Sequence, residues 1–238
     1  MVTQKHGEFV YVGEAHKEGD VISISESESH HLTRVRRTRV GEEVMATDGR
    51  GMVYRASLCE VNKLQVLESL PEFGECKIDL TLACGNLQGD TARDVVSAAV
   101  QLGVRELCWV RMSRSQENYS QNKLERLQRV AIQATKQTGR ARLLNLQTAD
   151  SLKQLIATKP ETVFWAAHPE SMAISMQREE SAQQSHCLIV GPEGGFDSVE
   201  LELLGKAAKV VRLGQRRLRS ETAVISGLTY LLNEFNEL

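Results

Sequence analysis

The strongest constraint on this chain is an alternation of short apolar runs with amphipathic runs that starts near residue 77. The apolar runs have the length and composition of buried strands and cover 78–84, 107–111, 162–167, 186–190 and 210–213. Most of the runs that follow them repeat their apolar residues at helical spacing, which predicts helices over 91–102, 122–137, 199–208 and 221–235. Strands that alternate with helices are typical of a mostly parallel sheet with helices on both faces. The fold class predicted for this part of the chain is therefore α/β.

The first 70 residues have a different pattern. Short runs rich in Val and Ile, separated by Gly, Asp and Ser, predict strands over 8–12, 20–24, 43–47, 52–61 and 64–67, with one helical stretch at 27–35. Short strands at this spacing favour a small barrel. Pro71–Gly74 begins with a proline and ends with a glycine, as is typical of a linker. We therefore predict two domains, a β-barrel over 1–71 and an α/β domain over 75–238.

Composition limits the functional classes. The formal net charge of the 238-residue chain is −2, so any surface for a nucleic acid has to be local. The five cysteines form no C-x-x-C pair, which favours reduced thiols and no metal site. The first residues show no secretory signal pattern, and no apolar run approaches the roughly 20 residues of a membrane helix. We expect a cytoplasmic protein without membrane contact.

A glycine-rich segment, Gly191–Phe196, directly follows the predicted strand that ends at Val190. Three glycines and a proline in six residues allow a ligand to approach the backbone closely. The segment matches neither common phosphate-loop pattern, and Glu193 would repel a phosphate. We therefore expect a ligand held by backbone groups and not through a phosphate. Asp197 and Glu200 have the spacing of a capping box at the start of the next helix.

A second segment, Leu213–Ala223, follows the last predicted strand and contains three arginines. Ser220 is predicted to be the N-cap of the last helix, with Glu221 in its first turn. In open parallel sheets ligands bind beyond the carboxyl ends of the strands, so both segments are expected at one site.

These two segments together resemble the late motifs of the RsmE family, which methylates N3 of a uridine in 16S ribosomal RNA and belongs to the SPOUT superfamily. The matching residues run from Val190 to Glu200 and from Val211 to Ala223. The resemblance extends to residues 30–51, which look like the family's PUA-like RNA-binding barrel, and to Leu102–Val104 and Arg114–Ser115. It implies a trefoil-knotted α/β domain, a homodimer, and S-adenosyl-L-methionine as the cofactor.

The resemblance and the local chemistry together give a set of expected site residues. Those expected to bind the cofactor are His168, Pro169, Val190, Gly191, Glu193, Gly194, Gly195, Leu213, Gly214, Leu218, Ser220, Thr222 and Ala223. Arg219 is the expected catalytic residue, because a guanidinium beside the uracil would stabilise the anion formed when N3 loses its proton. The sequence does not identify a general base.

The expected RNA contacts lie mainly in a basic run without acidic residues. They are His31, Arg34, Arg36, Arg37 and, in the second half of the chain, Arg140. Such a cluster suits RNA phosphates. The expected partner is 16S ribosomal RNA, either free or in the assembled small ribosomal subunit.

Six positions depart from the family pattern: Gln88, Ala98, Gln101, Trp109, Ser113 and Lys136. The family usually has Lys at the first two, Glu at Gln101, Ser113 and Lys136, and Pro at Trp109. These departures motivate a second hypothesis, a related SPOUT methyltransferase that acts on another RNA position. A third hypothesis is a non-catalytic RNA-binding or ribosome-assembly protein that kept the fold.

Overall fold

A computed structural model describes residues 9–13, 17–168 and 184–238. The described residues form two compact units. One contains the described residues up to Glu75 together with Ile132–Leu143, and the other contains Cys76–Ala131 and the described part of 144–238.

The first unit is built on a mostly antiparallel six-stranded sheet. Its elements are β1 (Val10–Tyr11), β2 (Lys17–Glu18), β3 (Val21–Ser23), α1 (Glu26–His30) with a following π-helical turn (His31–Val35), β4 (Glu43–Thr47), β5 (Met52–Glu60) and β6 (Lys63–Pro71). The strand order is β1-β4-β5-β6-β3-β2, and the β1–β4 pair is parallel. Every strand predicted in this region is present in part or in full, and the bounds predicted for β4 are confirmed. Leu32 of the π-helical turn is fully buried among the core residues of the sheet.

Segment 132–143 belongs to this first unit, although it follows the α/β pattern in the sequence. Buried ion pairs hold it there. The Arg140 guanidinium donates to both carboxylate oxygens of Glu75, at 2.7 and 3.3 Å, and both side chains are almost completely buried. Lys136 Nζ lies 2.8 Å from Glu28 Oε1 in a second, nearly buried pair. The packing of segment 132–143 therefore depends on charge pairing as well as on apolar contacts.

The second unit is an α/β sandwich. Its elements are β7 (Asp79–Gly85), α2 (Thr91–Gln101), β8 (Glu106–Val110), α3 (Gln121–Thr138, whose last turns lie in the first unit), β9 (Asn145–Ala149), α4 (Leu152–Thr158), β10 (Val163–Ala167), β11 (Ser185–Val190), α5 (Ser198–Ala207), β12 (Lys209–Val211) and α6 (Ser220–Glu234). The strand order is β12-β10-β11-β7-β8-β9, and every pair is parallel. The predicted parallel α/β sheet is confirmed.

Helices cover both faces of this sheet, as the β11 strand shows. Leu188 points towards α6, where a Cβ on Gly227 would lie 2.7 Å from its side chain. The next residue, Ile189, points to the other face and packs in a core that includes Leu155 of α4 and Leu204 of α5. Alternate side chains of one strand are therefore buried under different helices, which explains why the strand is apolar throughout.

The interior of the second unit encloses three of the five thiols. All five cysteines are free, and Cys84, Cys108 and Cys187 are buried. Burial raises the pKa of all three thiols, that of Cys108 to about 12. These three residues therefore act as small apolar side chains and not as nucleophiles. Within the described residues, no helix is both long and apolar enough to cross a lipid bilayer.

We predict that Arg140→Ala destabilises the first unit by about 3–5 kcal/mol, because it leaves the buried Glu75 carboxylate without its partner. Hydrogen exchange of β5 amides should report this loss. Both tryptophans, Trp109 and Trp165, lie in the second unit, so their fluorescence follows the other unit separately. Arg126→Ala, an exposed position on α3, is the matched control. Unchanged β5 protection in Arg140→Ala would contradict the structural role of this pair.

Candidate active site

The carboxyl edge of the parallel sheet carries the main cavity of the second unit. Strands β7, β8 and β9 run outwards on one side, whereas β11 and β10 lie on the other side of β7. The point where the chain order reverses, between β7 and β11, is where open α/β sheets bind ligands. A cavity of about 800 Å³ lies here, lined by residues that follow β10, β11 and β12 and by the start of α6.

The glycine-rich loop directly after β11 forms one wall of this cavity. Gly195 N donates to Pro192 O at 2.8 Å and closes a turn, with Gly195 at a φ of +71° that favours glycine. Gly85, at the end of β7, faces the same turn. A Cβ on Gly85 would lie 2.6 Å from Pro192 N. The loop therefore packs directly on the neighbouring strand, which only a glycine there permits.

Two arginines from different elements hold this loop by its carbonyl groups. Arg114, in the loop after β8, donates to Gly194 O at 3.0 Å. Arg217, in the loop after β12, donates to Glu193 O at 3.3 Å. Guanidinium donors on both carbonyls restrict rotation of the peptide planes of the loop.

The Glu193 side chain and Ser220 add two further connections. Glu193 Oε1 accepts from Gln88 N at 3.1 Å, which ties the glycine loop to the loop after β7. Ser220 Oγ, which is buried, donates to Gly191 O at 3.2 Å. The two motif segments are therefore joined by a direct hydrogen bond. The resulting cavity wall is pre-organised by bonds from three other loops.

Helix α5 begins immediately after the glycine loop and has the predicted cap. Asp197 accepts from Glu200 N at 2.7 Å, and the Glu200 side chain accepts from Asp197 N at 2.9 Å, so the capping box is confirmed. The backbone donor of Glu200 and the Ser113 hydroxyl lower the pKa of Asp197. Glu200 also accepts from Ser113 N at 2.8 Å, which connects the start of α5 to the loop after β8.

The start of α6 differs from the prediction in one respect. The helix begins at Ser220, and the N-cap residue is Arg219, which makes no side-chain capping bond. The prediction that Ser220 is the N-cap was therefore wrong, because its hydroxyl is committed to Gly191 O instead of the first turn of α6. Arg219 is exposed and lines the cavity, and within the described residues its guanidinium has no ion-pair partner. Its positive charge is therefore available to a ligand in the cavity.

The structure brings most of the expected cofactor-binding residues to this one cavity. Those that line it are His168, Val190, Gly191, Glu193, Gly195, Leu213, Gly214, Leu218, Ser220 and Ala223. Gly194 is behind the wall, where it accepts from Arg114, and Thr222 is exposed on α6 outside the lining. Pro169 lies outside the described residues.

Five further wall residues lie within the two segments that the sequence placed at one site: Pro192, Phe196, Arg216, Arg217 and Glu221. The wall residues that the sequence did not place at the site are Thr91, Arg114 and Ala167. Arg114 could not be placed in this way, because its approach to Gly194 depends on the order of the strands.

The expected RNA contacts lie in the first unit and differ in exposure. Arg34 and Arg37 are exposed at and just after the π-helical turn, with Arg37 at a φ of +56°, and Arg36 and His31 are half-buried. Arg140 is different, because its guanidinium is buried against Glu75. The structure assigns Arg140 to the interior of the first unit and leaves the other four near its surface.

Among residues 9–13, 17–168 and 184–238, no group of three or more His, Cys, Asp or Glu side chains is placed to hold a metal ion. The cavity lining combines backbone groups, arginines and apolar side chains with the carboxylates of Glu193 and Glu221.

A parallel sheet with a switch-point cavity and an arginine-rich loop defines the second unit as a ligand-binding α/β domain. Residues 74–232 match the family described as RNA methyltransferase domain, and the chain belongs to that family. Residues 24–67 match the RNA methyltransferase PUA domain.

Curated relatives and solved structures agree with this membership. The chain is 28% identical over 217 residues to ribosomal RNA small subunit methyltransferase E of Synechocystis, covering 85% of this chain and 69% of the relative. It is also 28% identical over 233 residues to the enzyme of that name from Bacillus subtilis, covering 90% of each. The structure of ribosomal RNA small subunit methyltransferase E from Neisseria gonorrhoeae, bound to S-adenosyl methionine, has a TM-score of 0.85 at 23% identity and covers 96% of this chain and 98% of its own. That similarity shows a shared fold.

We predict that Gly85→Ala destabilises the second unit by about 1–3 kcal/mol, because the added methyl group meets the backbone of Pro192 and forces the glycine loop to move. Urea unfolding followed by tryptophan fluorescence measures the change. Gly205→Ala is the matched control, since a Cβ at this position in α5 meets nothing within 4 Å. The control should gain about 0.5–1 kcal/mol from helix propensity. Equal stability of the two variants would contradict the tight packing at Gly85.

Proposed function

We propose that this protein methylates N3 of a specific uridine in 16S ribosomal RNA, with S-adenosyl-L-methionine as the methyl donor. The observation that carries the proposal is the cavity in which both motif segments meet, joined by the Ser220–Gly191 hydrogen bond and flanked by the uncommitted Arg219. The relatives named ribosomal RNA small subunit methyltransferase E support the class of RNA.

The residues of the cavity are suited to the proposed cofactor. Its volume of about 800 Å³ lies within the usual range for small-molecule sites. Leu213 and Leu218 offer apolar walls for an adenine ring, and the open backbone at Gly214, where a Cβ would meet nothing within 4 Å, offers amide groups for polar parts. The Glu193 carboxylate and the cavity arginines could pair with an ammonium and a carboxylate group, respectively. The cofactor would supply a methyl group already activated by its sulfonium, so the protein needs neither a metal ion nor a covalent nucleophile.

The chain's own contribution to the reaction is positioning and charge stabilisation. The glycine loop is held by Arg114 and Arg217, so the cavity wall does not need to rearrange as the reaction proceeds. Arg219 would stabilise the negative charge that develops on the uracil as the N3 proton leaves. Two carboxylates line the cavity as possible acceptors for this proton. Glu193 already accepts from Gln88 N, whereas Glu221 has no recorded partner among the described residues.

We further propose the architecture implied by the RsmE resemblance. Residues 1–71 would act as a PUA-like RNA-binding barrel and 75–238 as a SPOUT methyltransferase domain with a trefoil knot. The protein would act as a cytoplasmic homodimer. The match of residues 24–67 to the RNA methyltransferase PUA domain supports the first assignment, and the all-parallel sheet of the second unit supports an α/β domain for the second.

The identity of the product tests the function directly. Small-subunit rRNA from a strain that lacks this protein should have lost 3-methyluridine in a nucleoside digest analysed by mass spectrometry. The purified full-length chain should restore it in the presence of S-adenosyl-L-methionine. Loss of a different methylated nucleoside would indicate action on another RNA position. A protein that binds RNA without binding the cofactor in calorimetry would instead be a non-catalytic binding protein.

We predict that Arg219→Ala lowers kcat by about 100-fold or more, while its affinity for S-adenosyl-L-methionine stays within about threefold of the wild type. The size is that of losing one charge-stabilising donor in a transition state. Isothermal titration calorimetry gives the affinity and single-turnover methylation gives the rate. Lys153→Ala, an exposed position on α4 outside the cavity lining, is the control. Loss of cofactor binding in Arg219→Ala would make Arg219 a cofactor residue and not a catalytic one.

We predict that combined replacement of Arg34, Arg36 and Arg37 by Ala weakens RNA binding by roughly tenfold or more and flattens its dependence on salt. Each phosphate contact that is lost removes about one unit from the salt slope. Filter binding with 16S rRNA at salt concentrations from roughly 50 to 200 mM, where such effects are large, measures both the affinity and the salt slope. Unchanged affinity and slope would remove this surface from the RNA footprint.

A further inference from the structure

A second cavity lies beside the first on the carboxyl edge of the same sheet. Its volume is about 370 Å³, and it is formed where β8 and β9 end. Arg111, Asn118 and Asp150 contribute exposed polar groups to its wall. The single loop after β8 serves both cavities, because Arg114 lines the first and its neighbours Ser113 and Ser115 line the second.

The wall of this second cavity is fixed by hydrogen bonds behind it. Ser115 Oγ accepts from Met112 N at 3.2 Å, and Glu117 is paired with Lys123 at 2.6 Å. Gln116 accepts from the Gln88 side chain at 2.8 Å.

The loop after β7 also holds the wall of the second cavity. The Asn86 amide donates to Glu117 O at 3.0 Å. The Tyr119 hydroxyl both donates to Leu87 O and accepts from Leu87 N. The second cavity is therefore a pre-formed site and not a gap between loose loops.

Three side chains that line this cavity have no partner within the described part of the chain. They are the Arg111 guanidinium, the Asp150 carboxylate and the Asn118 amide, and no ion pair joins Arg111 to Asp150. A guanidinium suits a phosphate, and a carboxylate accepts from the exocyclic amino group of a nucleobase. A nucleotide with an amino-bearing base carries both groups.

We infer that this second cavity binds one nucleotide of the RNA substrate that flanks the methylated uridine. The Arg111 guanidinium binds its phosphate, and Asp150 accepts from the amino group of its base. This inference rests on the proposed function and extends it, since it assigns a sequence-reading role to a site outside the cofactor cavity. The loop after β8 connects the two sites, because Arg114 lines the cofactor cavity and the adjacent residues Ser113 and Ser115 line the second cavity.

Steady-state methylation of 16S rRNA by full-length Arg111→Ala and Asp150→Ala tests this assignment. Both side chains are exposed, so the variants should fold, and unchanged calorimetric affinity for S-adenosyl-L-methionine checks that they do. We expect Arg111→Ala to raise KM for the RNA by about tenfold with kcat unchanged, and to lower the salt slope by about one. Lys206→Ala, on the exposed end of α5 and outside both cavities, should leave all these values unchanged.

Short RNAs centred on the methylated uridine then test the contact with the base. Each flanking base is replaced in turn by an analogue without its exocyclic amino group, such as inosine for guanosine. One such replacement should raise KM by about tenfold for the wild type and should have no further effect in Asp150→Ala. An active wild type with unchanged KM in both variants overturns this assignment alone. A wild type that methylates no uridine in free 16S rRNA or in assembled small ribosomal subunits overturns the proposed function and this assignment together.

Discussion

The parallel ladder between β7 and β11 is the constraint on which the rest of the site depends. It pairs six residues in register, from Asp79 with Ser185 to Cys84 with Val190, and joins the two halves of the second unit. Because parallel strands end at the same edge, this register places Gly85 against Pro192 and brings the glycine loop beside the loop after β7. The contact between Gln88 N and Glu193 follows from the same alignment. A slip by one residue would exchange the buried faces of the strand and separate these loops.

Arginines perform three distinct tasks in this chain, and their environment determines which. Arg140 is buried and forms a bidentate pair with Glu75, so its charge is compensated within the first unit. Arg114 and Arg217 are exposed but donate to carbonyls, which stiffens the glycine loop. Among the described residues, the guanidinium groups of Arg219 and Arg111 have no hydrogen-bond or ion-pair partner. Their charges are available to a ligand, as are those of the exposed Arg34 and Arg37, whereas the charge of Arg140 is not.

Much of this architecture was predictable because strong local patterns coincide with buried elements. The strand Glu43–Thr47 and the helix α2 were predicted almost to the residue, since their apolar residues recur at the period of the element. The strand β9 was missed because it lies at the edge of its sheet and most of its side chains face solvent, so it has no apolar run. The seven-residue helix α4 is too short to establish a helical period.

The site was also predictable only where a local pattern in the sequence marks it. Glycine and arginine composition marked the two motif segments, and these lie together at one cavity. What composition could not supply was contact between distant loops. Arg114 reaches Gly194 because β8 lies beside β7, and Ser220 bonds Gly191 because α6 starts beside β11. The buried state of Arg140 was equally hidden, since Glu75 stands 65 positions earlier in the chain.

The six departures from the RsmE pattern can now be separated by where each side chain lies. Lys136 is bonded to Glu28 inside the first unit and Trp109 is fully buried against Tyr119, so both changes are accommodated by packing. Ala98 and Gln101 lie on α2, where the Gln101 side chain donates to Ser97 of the same helix at 3.0 Å. Gln88 and Ser113 are different, because Gln88 is bonded to Gln116 of the second cavity and Ser113 lines that cavity. Any difference in RNA sequence preference that these departures cause should therefore arise at the second cavity, while the cofactor cavity keeps the arrangement that both motif segments share.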